Sequence, residues 1–138
     1  MNATAGVEMR AETSGLSVKL THGPSGARIA TEPPRDNGGS GACFSPTDLV
    51  GAALAACALT TMALTARREG LTFGEAAARV EKRMVASPRR IGELPLAIEM
   101  PPGFPSEHRA RYEQVARSCP VAVSLHPDVK VEMSFSYR

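Results

Sequence analysis

Three cysteines, Cys43, Cys57 and Cys119, are the residues best suited to chemistry in this chain, because a thiolate is both a nucleophile and a redox-active sulfur. An odd number without C-x-x-C spacing describes neither a disulfide framework nor a usual zinc site. Unpaired thiols suit a reducing, cytoplasmic compartment, and the segment Met1–Glu8 has neither the basic n-region nor the apolar h-region of a secretory signal. Cys57 follows Ala55-Ala56 in a long uncharged run. It reads either as a small core hydrophobe or as a nucleophile. Apolar surroundings raise a thiol pKa, so reactivity there requires a nearby positive charge or hydrogen-bond donor. Cys119 precedes Pro120, a residue suited to the first turn of a short helix through Leu125. At that helix start the N–H groups and the dipole favour the thiolate; a cap position filled by chance is the alternative. Cys43 sits in a loop, where no essential role is expected.

Cys57 and Cys119 each fall on a predicted helical element, and two helices packed side by side could bring their sulfurs within disulfide reach. A buried thiol beside a second thiol is the arrangement for two-step peroxide reduction. The first thiolate attacks the O–O bond and becomes a sulfenic acid, the second condenses with it, and an external dithiol resets the pair.

The elements that must position these thiols are legible from pattern. The 138 residues make one domain, 1–138, long enough to bury a core without staples. With Lys+Arg 16 against Asp+Glu 14 and no Trp, nucleic acid is not an expected partner. Val7–Thr13, Leu16–Thr21 and Ala27–Thr31 read as three short strands joined by turns. Ser45-Pro46-Thr47-Asp48 is a helix start, with Ser45 as N-cap, Pro46 at the first helical position and Asp48 closing a capping box. Leu49–Ala66 carries no charge, Arg67 and Arg68 meet the negative end of the dipole, and Gly70 supplies the stop. This run reaches the length of a membrane span. Its alanines, its threonines at 60, 61 and 65 and the missing aromatic anchors instead predict a fully buried central helix and no membrane partner. Ala78–Val85 and the alternating Leu94–Met100 segment predict two strands, the second pushed toward a sheet edge by Pro95. Ser106 is read as the cap of a helix over Glu107–Ser118, with Ala110, Val115 and Ala116 on its inner face. Val129, Val131, Met133, Phe135 and Tyr137 alternate with polar residues in a final strand. The order predicts an α+β fold, with a mainly antiparallel sheet wrapped on a helical layer.

Phe44 through Cys57 resembles the central-helix signature of the OsmC/Ohr superfamily, the osmotically inducible and organic-hydroperoxide-resistance proteins. Ser118-Cys119-Pro120-Val121 with Leu125-His126-Pro127-Asp128 resembles its second-cysteine motif, and His22-Gly23-Pro24-Ser25-Gly26 resembles a turn of one branch. The resemblance implies an intertwined α+β homodimer with paired central helices and a site at the subunit interface. It further implies reduction of organic hydroperoxides, with Cys57 peroxidatic, Cys119 resolving, a lipoyl-type dithiol as reductant, and no metal or bound organic cofactor. Family peroxidases carry a Glu directly after the signature Pro, where this chain has Thr47, and an Arg in the N-terminal hairpin, near the place of Ser17. The neighbouring carboxylate is Asp48 and the nearest cations are Arg10 and Lys19. Asp48 and Arg10 are therefore the supporting candidates. Asp48 already has work as the capping-box partner, and Arg10 reads equally as a solvated strand residue. His22 and His126 are expected to serve turns, and His108 to be exposed. The alternative to a peroxidase is a non-catalytic dimer of this scaffold that binds a small apolar molecule at the subunit interface, with Cys57 as packing.

Overall fold

The computed structural model describes residues 5–138, in two compact units that divide at Leu49/Val50. The N-terminal unit holds β1 (Met9–Ser14), β2 (Ser17–His22) and β3 (Arg28–Thr31), an antiparallel sheet in that order. The His22 turn is closed by His22 N–H donating to the Ala27 carbonyl at 2.8 Å and Gly26 N–H donating to the His22 carbonyl at 2.7 Å. The His22 ring lies 2.6 Å from Ser25 Oγ, in the turn role expected of it. A 3₁₀ turn at Arg35–Asn37 follows. The chain then folds back so tightly that a Cβ on Gly39 would sit 1.5 Å from the Pro33 carbonyl oxygen. Only glycine fits there.

α1 (Pro46–Arg68) begins and ends as its sequence dictates. Asp48 N–H donates to Ser45 Oγ at 3.1 Å, and Ser45 N–H donates to Asp48 Oδ2 at 2.8 Å. This is a reciprocal capping box. At the other end Gly70 takes φ +73°, Gly70 N–H donates to the Arg67 carbonyl and Leu71 N–H to the Ala66 carbonyl at 2.8 Å. These two bonds form a Schellman motif, which satisfies carbonyls the helix leaves open. Burial all round is not what the chain shows. Gly51, Leu54, Ala58, Met62 and Ala66 form one buried line, whereas Ala53, Ala56, Thr60 and Leu64 are exposed. The helix is long and apolar enough to cross a membrane by length and composition, yet its buried line is part of the core of the C-terminal unit.

That unit adds β4 (Ala77–Val80), β5 (Arg83–Val85), β6 (Arg90–Glu99), α2 (Arg109–Arg117), α3 (Pro120–Ser124) and β7 (Lys130–Ser136). The strand expected over Ala78–Val85 is two strands, both antiparallel to β6. β6 is the centre of the sheet rather than an edge, because β7 pairs its other side in parallel. Pro95 is tolerated there for a specific reason. β4 pairs with Leu96–Glu99 and β5 with Arg90–Glu93, so the break at Glu81-Lys82 falls beside the residue that has no N–H to donate. The Pro95 carbonyl still accepts from Glu81 N–H at 3.0 Å. Leu94, Leu96, Ile98 and Met100 alternate inward, and β7 presents Val131, Met133 and Phe135 on its half-buried face.

α2 is shorter than expected. A separate 3₁₀ turn occupies Ser106–His108, and Ser106 makes no cap. Its inner face is Tyr112 and Ala116, while Ala110 is exposed and His108 is partly covered. Tyr112 is fully buried, donates its hydroxyl proton to Glu69 Oε1 at 2.8 Å and packs against Phe73 and Phe104. Glu69 also accepts from Arg111 Nε at 2.9 Å, and this bond, ahead of that from Tyr112, holds its carboxyl below the usual range. Among the described residues no buried side-chain N or O lacks a partner.

Ser45→Ala removes one half of the capping box and is expected to lower stability by about 1 kcal/mol in a denaturant titration. Burial, then the bond to Glu69, pushes the Tyr112 phenol up to about 12. A raised folded-state value means that its stabilisation is complete below the unfolded value of about 10 and is lost as pH climbs through about 12. The fall in unfolding free energy above pH ~10 is therefore expected to be shallower in Tyr112→Phe than in the parent protein.

Candidate active site

Cys57 stands one position before Ala58, at the flank of the buried line of α1, and is half-buried. It packs against the core that contains Cys119. Cys119 is fully buried at the junction of α2 and α3. Its N–H donates to the Ala116 carbonyl at 3.2 Å, and its carbonyl accepts from Val123 N–H at 3.1 Å. Both backbone groups are thus tied to the helices on either side. Upstream, α2 is held to the sheet by Arg117, whose guanidinium lies 5.0 Å from the Phe135 ring centroid, and by Tyr137, whose hydroxyl donates to Glu113 Oε2 at 2.5 Å. Arg109 covers the Tyr137 ring at 4.0 Å. Two thiols remote in sequence therefore meet, one reachable from solvent and one behind it, and both are free.

The expectation that a helix start would ionise Cys119 is overturned. Burial pushes its thiol up, and the hydrogen-bonding Cys57 thiol acts in the same direction. The N–H groups of Ala122 and Val121 pull the other way, but no side-chain cap bond closes onto this five-residue helix. Desolvation wins because a fully buried sulfur loses all hydration of its charge, whereas one helical turn offers only a fraction of a dipole. Cys119 rests as the protonated thiol.

Sequence reasoning passed over Thr61 as merely polar. Its Oγ1 donates to the Cys57 carbonyl at 2.7 Å and stands 3.8 Å from Cys57 Sγ. The spacing i, i+4 on a helix was the available signal. The supporting candidates belong to the N-terminal unit. Asp48 is the capping-box partner of Ser45, as its ordinary reading has it. Arg10 is on the fully exposed β1 and pairs with Glu12 at 3.3 Å, with three-quarters of its side chain open to solvent. Cys43 is exposed. His126 accepts from Asp128 N–H at 3.0 Å in the turn before β7. Among the described residues no three His, Cys, Asp or Glu side chains converge as a metal cage. A cavity of about 810 Å³ opens along β6 and β7, lined by residues that include Arg79, Pro95, Arg117 and Glu132, and it includes neither cysteine.

The family described as OsmC-like protein matches residues 38–134, which take in both cysteine segments. No curated protein matches the sequence. Among solved structures, a "putative osmotic stress induced and detoxification response protein" from Psychrobacter arcticus 273-4 is 32% identical over 99% of this chain and 100% of its own, with a TM-score of 0.89. The organic hydroperoxide resistance protein OsmC of Legionella pneumophila (20% identical, covering 98% and 99% of the two chains, TM-score 0.77) shares the fold. So does the organic hydroperoxide resistance protein OhrB of Bacillus subtilis (15% identical, 97% and 100%, TM-score 0.73). With the family signature spanning both thiols and the α+β architecture common to these structures, the chain belongs to the OsmC-like family.

Proposed function

We propose that this protein is a thiol-dependent peroxidase that reduces organic hydroperoxides, and hydrogen peroxide as a smaller substrate, in defence against oxidative stress. The observation that carries the reading is the meeting of a half-buried Cys57 with a fully buried Cys119 in one free thiol pair. Names of organic hydroperoxide resistance among the fold's relatives lend support. The Cys57 thiolate attacks the distal peroxide oxygen. The O–O bond breaks, the alkoxide takes a proton and leaves as the alcohol, and Cys57 becomes a sulfenic acid. The Cys119 thiolate then attacks the Cys57 sulfur, expels hydroxide, which is protonated to water, and forms the disulfide. An external dithiol of lipoyl type returns the two electrons by exchange. The exposed uncharged face of α1, at Ala53, Ala56, Thr60 and Leu64, supports the homodimer with paired central helices. The free thiols support a cytoplasmic setting.

A second reading, a non-catalytic dimer that takes up a small apolar molecule, draws on the other engagements of Asp48 and Arg10. Turnover decides between them. Cys57→Ser is expected to abolish dithiol-dependent consumption of an alkyl hydroperoxide, and Cys119→Ser to stop after one oxidation. Mass spectrometry after one equivalent of peroxide is expected to find Cys57 linked to Cys119. A parent protein that shows no turnover excludes the peroxidase.

The raised Cys119 value adds a pH dependence. Below it the thiolate fraction grows about tenfold per pH unit, so disulfide closure after a single oxidation is expected to accelerate by nearly that factor per unit, as stopped-flow kinetics can follow. A closure rate independent of pH across the neutral range would contradict this resting state.

A further inference from the structure

We infer that Thr61 is a positioning residue for the reacting sulfur, donating its hydroxyl proton to the Cys57 carbonyl while Cys57 is a thiol and turning it to Cys57 Sγ when the sulfur is a thiolate. The inference rests on the reading of Cys57 as the nucleophile. One oxygen faces two acceptors of the same residue, the carbonyl at 2.7 Å and Sγ at 3.8 Å. A threonine hydroxyl has a single proton, so it can serve only one of them at a time. Beside a neutral thiol the carbonyl is the stronger acceptor. Beside a thiolate the charged acceptor is, because charge-assisted hydrogen bonds are roughly twice as strong as neutral ones. The exchange needs only rotation about the Cβ–Oγ bond, with no heavy atom displaced, and the Cys57 carbonyl keeps its ordinary helical bond.

The surroundings isolate this effect. The buried core against which Cys57 packs is apolar on β6, at Leu94, Leu96 and Ile98, and its α2 members are Tyr112, committed to Glu69, and Ala116. The Cys119 thiol is hydrogen-bonded to Cys57. On α1 itself the nearest charges are Asp48 toward its start and Arg67 and Arg68 toward its end, each about 13 Å or more away along the axis. Thr65 makes the same back-bond one turn on, donating to the Thr61 carbonyl at 2.8 Å. It provides a built-in comparison, one turn removed from Cys57.

Iodoacetamide labelling with peptide mass spectrometry reads Cys57 alone, as a function of pH and without peroxide. Thr61→Val is expected to lower the Cys57 rate at neutral pH about tenfold and to move the whole profile toward higher pH, the scale of a hydrogen bond to a charged group. Thr61→Ser, which retains the hydroxyl, should restore the parent profile, and Thr65→Val should leave it unchanged. Should Thr61→Val fail to fold, Thr61→Ala against Thr61→Ser makes the same comparison. A profile unaltered by loss of the hydroxyl, or one altered equally by Thr65→Val, overturns the inference. A parent protein inert to hydroperoxide whose Cys57 labelling still depends on Thr61 refutes the peroxidase reading and leaves this role of Thr61 standing.

Discussion

Leu54, Ala58, Met62 and Ala66 occupy one line down α1, each fully buried, and that line sets the rotation of the helix about its own axis. Successive residues turn by about 100°. A helix rotated by one position would carry Cys57 either fully into the core or out toward solvent. The small residues on the line matter as much as the large ones. At Gly51 a Cβ would lie 3.4 Å from Leu94 Cδ2, so the helix approaches β6 closely at its first turns. Further along, Leu54 and Met62 supply the volume the core needs. Fixing that line leaves Cys57 on its flank, half-covered and beside Cys119.

The second sulfur depends on a different constraint. α3 is too short to hold itself, and Cys119 is located instead by the end of α2 and by the bonds its own backbone makes to Ala116 and Val123. α2 in turn is pinned at one end by Tyr112 to Glu69, and along its length by cations lying over the aromatic rings of Tyr137 and Phe135. The result is a rigid seat for a thiol that desolvation keeps protonated. In a peroxidase such a seat has a use. A resolving thiol held neutral does not compete for the oxidant.

The N-terminal unit contains both candidates proposed to assist the thiols, and each has a local occupation. Asp48 completes the start of α1, and Arg10 neutralises Glu12 on an exposed strand. An exposed ion pair of this kind contributes little to stability. The reciprocal cap is worth more, because it satisfies N–H groups that a helix end otherwise leaves open. Nearer to the Cys57 sulfur, and less conspicuous, is the Thr61 hydroxyl one turn along the same helix.

Local signals decided the local features. Ser45, Pro46 and Asp48 at one end and Gly70 at the other bound α1 within a residue or two, since caps are short-range hydrogen bonding. The alternation from Val131 to Tyr137 marked β7, since side chains of a strand alternate whatever they pack on. The segments that resemble the family, Phe44 through Cys57 and Ser118 through Asp128, are likewise contiguous stretches, each containing one cysteine. Three features were beyond that reach because each depends on a partner distant in the chain. Pro95 is central because β7 pairs in parallel on one side while the opposite side breaks at Glu81-Lys82. Tyr112 is buried because Glu69 receives its hydroxyl. Cys119 is protonated because the fold closes over it, and the field of a helix start is legible in a sequence whereas the loss of water around a sulfur is not.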